Sequence, residues 1–418
     1  MLFAHLSDIH LGFQKHEALQ KIEQTVFEKA LDECISRKVD FILIPGDLFN
    51  VNIPEMRVQK FAFAKFRQVH EDGIPVYVVY GSHDFSPVSN SVIDLLAAIG
   101  YITKVTKVKD SDDGKIVLDF LVDPKTGAKI CGFSGLKVGR DIEYYEKLDR
   151  GSLEAESGFK IFLFHGGISD MKTEAGIEGD HMPLSLLPKN FDYYAGGHMH
   201  KWNHQSFDGY SNVVYPGTPF AGFHSDLEEN SKGQKRGFVL VEFEDKIKDV
   251  SFVELENTSY EIIEIDANNR KADSINKELL EKTQGIDPVN KVVIIKIDGE
   301  MTSGKTSDVD ISGIRESLYQ REASAVEISK NRLTSLEYRI TEAKGENKAE
   351  IETNVFSENI GQLRFKAKNL IGDLGVALAK KLLSELGQPA LENEKKSDYS
   401  SRIRQDVLGV LGLKLDDS

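Results

Sequence analysis

Five short stretches of this chain pair histidine or aspartate with glycine or apolar neighbours. They are Asp8-Ile9-His10, Gly46-Asp47, Gly81-Ser82-His83-Asp84, His165-Gly166-Gly167 and Gly196-Gly197-His198-Met199-His200. Carboxylates and imidazoles without thiolates suit manganese, iron or zinc, not a soft-metal site. Two such ions roughly 3.5–4 Å apart, bridged by one carboxylate, would activate a water and neutralise phosphate oxygens; hydrolysis of a phosphodiester at neutral pH needs both. Any one motif is weak, because a lone D-x-H or H-x-H more often marks a hydrogen-bonded surface or core histidine. The five together carry the reading, because each directly follows an apolar run.

Those runs must be strands that end at one place. Leu2–Leu6, residues 40–44, Val76–Tyr80, Lys160–Phe164 and residues 192–195 read as short buried strands. Helical spacing of apolar residues predicts helices over residues 18–37, Glu55–Glu71 and 91–99. Residues 116–122 and Lys129–Phe133 read as a hairpin across Asp123-Pro124-Lys125-Thr126-Gly127. Strand–helix alternation with uniformly apolar strands predicts an α/β layered fold. In open α/β sheets ligands bind beyond the carboxyl ends of strands, which is where all five motifs fall.

The second half has different chemistry. All eleven histidines lie between His5 and His224. Beyond about residue 225, strands over Gly237–Phe243, 250–255, 259–265 and 291–297, with helices over 269–282 and 307–319, suggest a small α+β domain. The expected organisation is a catalytic domain over 1–225, an α+β cap over 226–330, a charged linker over 331–357 and a helical region over 358–418. In that last region Ile360, Leu363, Leu370, Leu374, Leu378 and Leu382 recur at helical spacing, and 401–411 forms a second helix.

The net charge of −15 is spread along the chain and excludes a generally basic nucleic-acid binder; any polyanion site must be local or built on bound cations. No apolar run is long enough for a membrane helix, and the start of the chain has no secretory pattern. Two cysteines, Cys34 and Cys131, cannot build a disulfide framework, which fits a cytoplasmic location.

The ordered series D-x-H, G-D, G-x-H-D, H and G-H-x-H resembles the calcineurin-like metallophosphoesterases. Within them, HLSDIHLG, GDLF and GGHMH resemble the meiotic-recombination-eleven / SbcD family of DNA double-strand-break repair nucleases. The resemblance implies a metallophosphoesterase β-sandwich flanked by helices, a capping domain and a helical tail. It implies two manganese ions, held by Asp8, His10 and His200 on one side and by His165, His198 and Ser82 on the other, with Asp47 bridging. His83 would be the acid that serves the leaving oxygen, and Asp84 would orient it. It further implies DNA as substrate, a homodimer at the nucleoid, and an SMC-like coiled-coil ATPase of the SbcC type docked on the tail helices.

Two positions depart from the family pattern. Ser82 stands where relatives carry a metal-ligating Asn. Asn50 stands where they often carry a substrate-facing His. Two other readings therefore stay open: a phosphodiesterase for small phosphoesters or cyclic nucleotides, and a catalytically weak DNA-end tether. A second motif, Gly299-Glu300-Met301-Thr302-Ser303-Gly304-Lys305-Thr306, matches a phosphate-binding loop by letter. The residues after it make a poor helix start, so it reads as a polar turn.

Overall fold

The computed structural model describes residues 1–86, 91–109, 114–135, 141–171 and 181–336, then 352–353, 356–357, 360, 370, 372–389, 391, 394 and 396–411. Leu2–His5 (β1), Phe41–Pro45 (β2), Val76–Val79 (β3) and Thr103–Lys104 (β4) pair in parallel in that order. A second sheet contains Leu121–Val122 (β5), Lys129–Phe133 (β6), Lys160–His165 (β7), Tyr193–Gly197 (β8), Asn203–Phe207 (β9) and Tyr210–Tyr215 (β10), in the order β9-β10-β8-β7-β6-β5. Gly237–Phe243 (β11) and Ile247–Glu254 (β12) complete the first sheet as β12-β11-β1-β2-β3-β4.

Both faces of the central strands are buried, which explains their unbroken apolar runs. Phe3, Phe41, Leu43 and Tyr77 of the first sheet pack with Ile130, Ile161, Leu163 and Tyr193 of the second. The alternate residues Ala4, Ile42, Ile44 and Val78 pack against Val26, Phe27 and Ala30 of the helix Glu17–Ser36 and Ala62 and Phe66 of the helix Met56–Glu71. Cys131, Phe162, Phe164 and Tyr194 face a separate core on the far side of the second sheet. The result is a β-sandwich flanked by helices. Register then aligns the strand ends: Pro45 pairs with Val79, and Gly197 pairs with His165.

The structure changes three sequence expectations. Residues 237–254 do not belong to a cap beginning at 226. Strand β11 runs antiparallel to β1 with Phe3 opposite Val241, so the first sheet is incomplete without it. Contacts divide the chain into a first unit of Met1–Ile262, Asp287–Ile294 and Leu318–Glu327, and a second of Ile263–Ile286, Ile295–Ser317 and Ile328–Ser418. The expected hairpin strand over 116–122 is broken. Val117–Leu118 pairs with Val108–Lys109, whereas Leu121–Val122 pairs with β6, because Asp119 N–H turns to the Lys107 carbonyl between them. The strand Lys291–Met301 extends through Gly299-Glu300-Met301, the first three residues of the phosphate-loop motif, and the Asp308 carboxylate takes the Lys305 N–H at 2.8 Å. A phosphate would find that amide occupied.

The tail shows helices over Gly372–Leu386 and Lys396–Leu411; residues 361–369 of the expected long helix lie outside the described residues. Among the described residues, no helix is long and apolar enough to cross a membrane.

Candidate metal centre

The site is assembled from strand ends. Asp8 and His10 follow β1, Asp47 follows β2, Ser82 and His83 follow β3, His165 ends β7, and His198 and His200 follow β8. The chain turns so sharply there that Asp8 (φ 51°), His10 (φ 50°), Asp47 (φ 50°) and His198 (φ 99°) all adopt left-handed backbone conformations, rare for residues with a Cβ. Strain of this kind persists where the surrounding structure holds it, and it gathers at functional sites. Glycine is obligatory around these turns. A Cβ on Gly81 would lie 2.1 Å from Asp47 Oδ1, and one on Gly222 would lie 2.3 Å from the His10 ring and 2.7 Å from that of His200.

Asp8, His10 and His200 bring potential ligand atoms within 4.8 Å of one another, as do Asp8, Asp47 and His165, and also His10, Asp47 and His83. Asp8, His10 and Asp47, each shared by two of these clusters, thus sit at the centre. Asp47 Oδ2 is 3.7 Å from His10 Nε2 and 3.2 Å from His165 Nε2. His165 Nδ1 meets the Pro45 carbonyl at 2.9 Å, an acceptor only, so this nitrogen carries a proton. Burial opposes a charge on this ring, but Nε2 faces Asp47, whose charge favours a positive partner there and raises this histidine to about 10; a cation would take the place of that second proton. Burial drives the His10 imidazole down to about 3, so it is neutral at pH 7 and has a lone pair to give. Burial pushes Asp8 up, which a nearby cation would reverse. Burial also opposes ionisation of Asp47, but the His165 imidazole beside it outweighs burial and holds this carboxyl below its usual range. The donor set of carboxylates and imidazoles fits divalent cations such as manganese, iron or zinc.

The remaining expected residues fall as follows. His198 is exposed, outside those three clusters, with its ring 5.4 Å from that of His165. Its backbone N–H donates to both Asp8 oxygens, at 2.9 and 3.0 Å. Ser82 Oγ lies 3.4 Å from Asp47 Oδ2. His83 N–H donates to Asp47 Oδ1 at 2.8 Å, and its Nδ1 meets the Asn50 backbone carbonyl at 2.8 Å, which leaves Nε2 free. Asn50 therefore acts on His83 through its main chain.

Asp84 does not orient His83. Its fully buried carboxylate accepts the backbone N–H groups of Leu48 at 3.2 Å, Phe49 at 2.9 Å and Gly81 at 3.1 Å. It therefore ties together the loops that carry Asp47 and His83. Burial, aided by the Asp47 charge, raises it to about 7. His16 and His181 are half-buried; His16 Nε2 lies 2.8 Å from the Tyr319 hydroxyl.

Sequence reasoning missed Asp226. Its Oδ2 lies 2.8 Å from His200 Nδ1 and also accepts the N–H groups of Gly222 at 2.9 Å and Phe223 at 2.8 Å. Arg236, wholly buried, donates to the His200 carbonyl, to Asn230 Oδ1 at 2.6 Å and to Glu229 Oε2 at 3.1 Å. Neither residue stands in a local motif.

Residues 1–202 match the family described as calcineurin-like phosphoesterase. These residues are a calcineurin-like phosphoesterase domain. Such a domain is a metal-dependent phosphoester hydrolase, and its family uses a dimetal site, for which the ligand cluster provides the donors. The chain is 29% identical over 287 residues to the DNA double-strand break repair protein Mre11 of Methanocaldococcus jannaschii, spanning 66% of this chain and 73% of that one. It is 28% identical over 273 residues to the protein of the same name from Sulfurisphaera tokodaii, spanning 63% and 65%. A solved dimetal phosphatase from Danio rerio covers 62% of this chain and 97% of its own, at a TM-score of 0.36 and 9% identity.

Proposed function

We propose that this chain is the nuclease subunit of a DNA double-strand-break repair complex, a manganese-dependent exonuclease and single-strand endonuclease. The observation that supports it is the meeting of Asp8, His10, Asp47, His165 and His200 at the strand ends of a phosphoesterase domain, in a chain that aligns with double-strand-break repair proteins well beyond that domain. Asp8, His10 and His200 would hold one ion and His165, His198 and Ser82 the other, with Asp47 shared between them. When bound, such ions would supply an activated water and neutralise phosphate oxygens. His83, its ring fixed by the Asn50 carbonyl, presents Nε2 to the leaving oxygen as acid. The α+β segment beyond the sandwich serves as a DNA-binding cap.

The tail supports a partner. Leu374, Leu383 and Leu386 are exposed on the helix Gly372–Leu386, and Leu386, Tyr399, Ile403, Val407 and Leu408 line an apolar groove of about 420 Å³. In this reading they dock on an SMC-like coiled-coil ATPase, and the chain works as a homodimer in the cytoplasm, at the nucleoid. The test is cleavage of single-stranded and hairpin DNA with manganese. The parent chain should cut both, and Asp47→Ala should cut neither and bind fewer manganese ions. Cleavage of small phosphoesters without any cleavage of DNA would replace this reading with the phosphodiesterase one.

A further inference from the structure

Phe223 stands against the candidate ligands, yet 47% of its surface is exposed. Its ring lies nearly parallel to the His200 imidazole, with centroids 4.7 Å apart and 13° between planes. The His10 ring is 5.8 Å away and the His83 ring 6.3 Å. The ring is not a loose surface side chain. Phe223 N–H donates to Asp226, and the residue begins the helix His224–Ser231 from an extended backbone. His200 covers one face, so the exposure belongs to the opposite face and the edge. The rings of Phe13 and His224, 5.4 Å apart, continue the aromatic border from the neighbouring residue.

We propose that Phe223 is the substrate-recognition residue of this site: its open face stacks on a nucleobase next to the phosphate being cut. The inference rests on the nuclease reading above. A phosphate held beside His10, His83 and His200 places its own nucleoside within reach of Phe223, and a planar base matches a phenyl face whatever its sequence. Base–aromatic stacking needs a base with a free face. The site therefore favours single strands and frayed ends over the interior of a duplex, and it gains nothing from a phosphoester without a base.

The test compares an oligothymidylate with a base-free oligomer of the same length, both cleaved by the full chain in manganese. The parent should prefer the thymidylate in kcat/KM by about tenfold, the scale of one stacking contact. Phe223→Ala should bring that ratio close to one, chiefly through KM, and Phe223→Trp should restore it. Binding gives a second readout. A 2-aminopurine strand titrated in calcium should lose base fluorescence with the parent and with Phe223→Trp, and keep it with Phe223→Ala. An equal loss by Phe223→Ala on both oligomers would overturn the proposal and make Phe223 a wall of the metal centre. So would a parent that cuts both equally. A parent that neither binds nor cuts either oligomer would instead refute the nuclease reading, and this inference with it.

Discussion

The carboxylate of Asp226 lies 2.8 Å from Nδ1 of His200, and Arg236 grips the carboxylate and the His200 backbone together. A carboxylate on one ring nitrogen fixes the proton there and turns the other nitrogen outward as a lone-pair donor. Here that other nitrogen is Nε2, 3.2 Å from His10 Nε2 at the centre of the cluster. Burial alone would lower the His200 pKa; the Asp226 partner reverses this and raises it.

The Asp226 contact therefore predicts metal affinity. Asp226→Asn should weaken manganese binding about 10–100-fold, the usual effect of losing a carboxylate behind a metal-bound histidine. Titration calorimetry without substrate measures this directly. An unchanged affinity would show that Asp226 merely caps the helix His224–Ser231.

His83 tests the division between ligand and acid. Its ring is close enough to His10 and Asp47 to share an ion, and the Asn50 carbonyl on Nδ1 holds that ring in place for either role. His83→Ser should cut turnover about 10²–10⁴-fold while the bound manganese count stays that of the parent. Loss of one equivalent of metal would make His83 a ligand.

Ser82 offers a hydroxyl, a weaker donor than an amide oxygen, 3.4 Å from Asp47. Ser82→Asn should lower the manganese concentration for half-maximal activity by about threefold or more, equivalent to roughly 0.7 kcal/mol. A titration curve superimposable on the parent's would mean that Ser82 does not limit the second ion.

Glu23 gives a pH prediction away from the ligands. It is buried on the helix Glu17–Ser36 and accepts the N–H groups of Gly12 at 2.8 Å and Gln14 at 3.2 Å, pinning the loop after His10. Burial raises it from 4.5 to about 7 despite those bonds. The folded state thus holds a proton more tightly than the unfolded chain. The stability contributed by that proton is complete below about pH 4.5 and is lost as pH rises towards about 7. Glu23→Gln should flatten this part of the stability–pH curve, and the difference in slope from the parent, read by denaturant melts between pH 4.5 and 7.5, isolates Glu23. Parallel curves would show that Glu23 titrates normally.

The chemistry of the candidate ligands was legible in the sequence because each motif is local. An apolar strand followed by Asp or His, with glycine to let the chain turn, specifies both a residue type and its place at a strand end. Asp8, His10, Asp47, His165 and His200 needed only parallel strands in register to meet, and uniformly apolar runs already implied such strands. The layered α/β fold followed from the same runs, whereas the sandwich was implied by the family resemblance.

What the tertiary structure alone decided lies at long sequence separation. Asp226 reaches His200 from 26 residues away, and Arg236 reaches it from 36, through a helix and a strand with no distinguishing local signal. The sequence grouped Gly237–Phe243 with the α+β segment, but its partner is β1 at the other end of the domain, and only hydrogen-bond register could reveal that. Asp84 stands next to His83 in sequence, yet its side chain points to the backbone of Leu48 and Phe49, because a buried carboxyl needs donors and those amides supply them. Local pattern therefore determined which groups come to the centre. Packing between distant segments determined which of their nitrogens and oxygens remain free to act there.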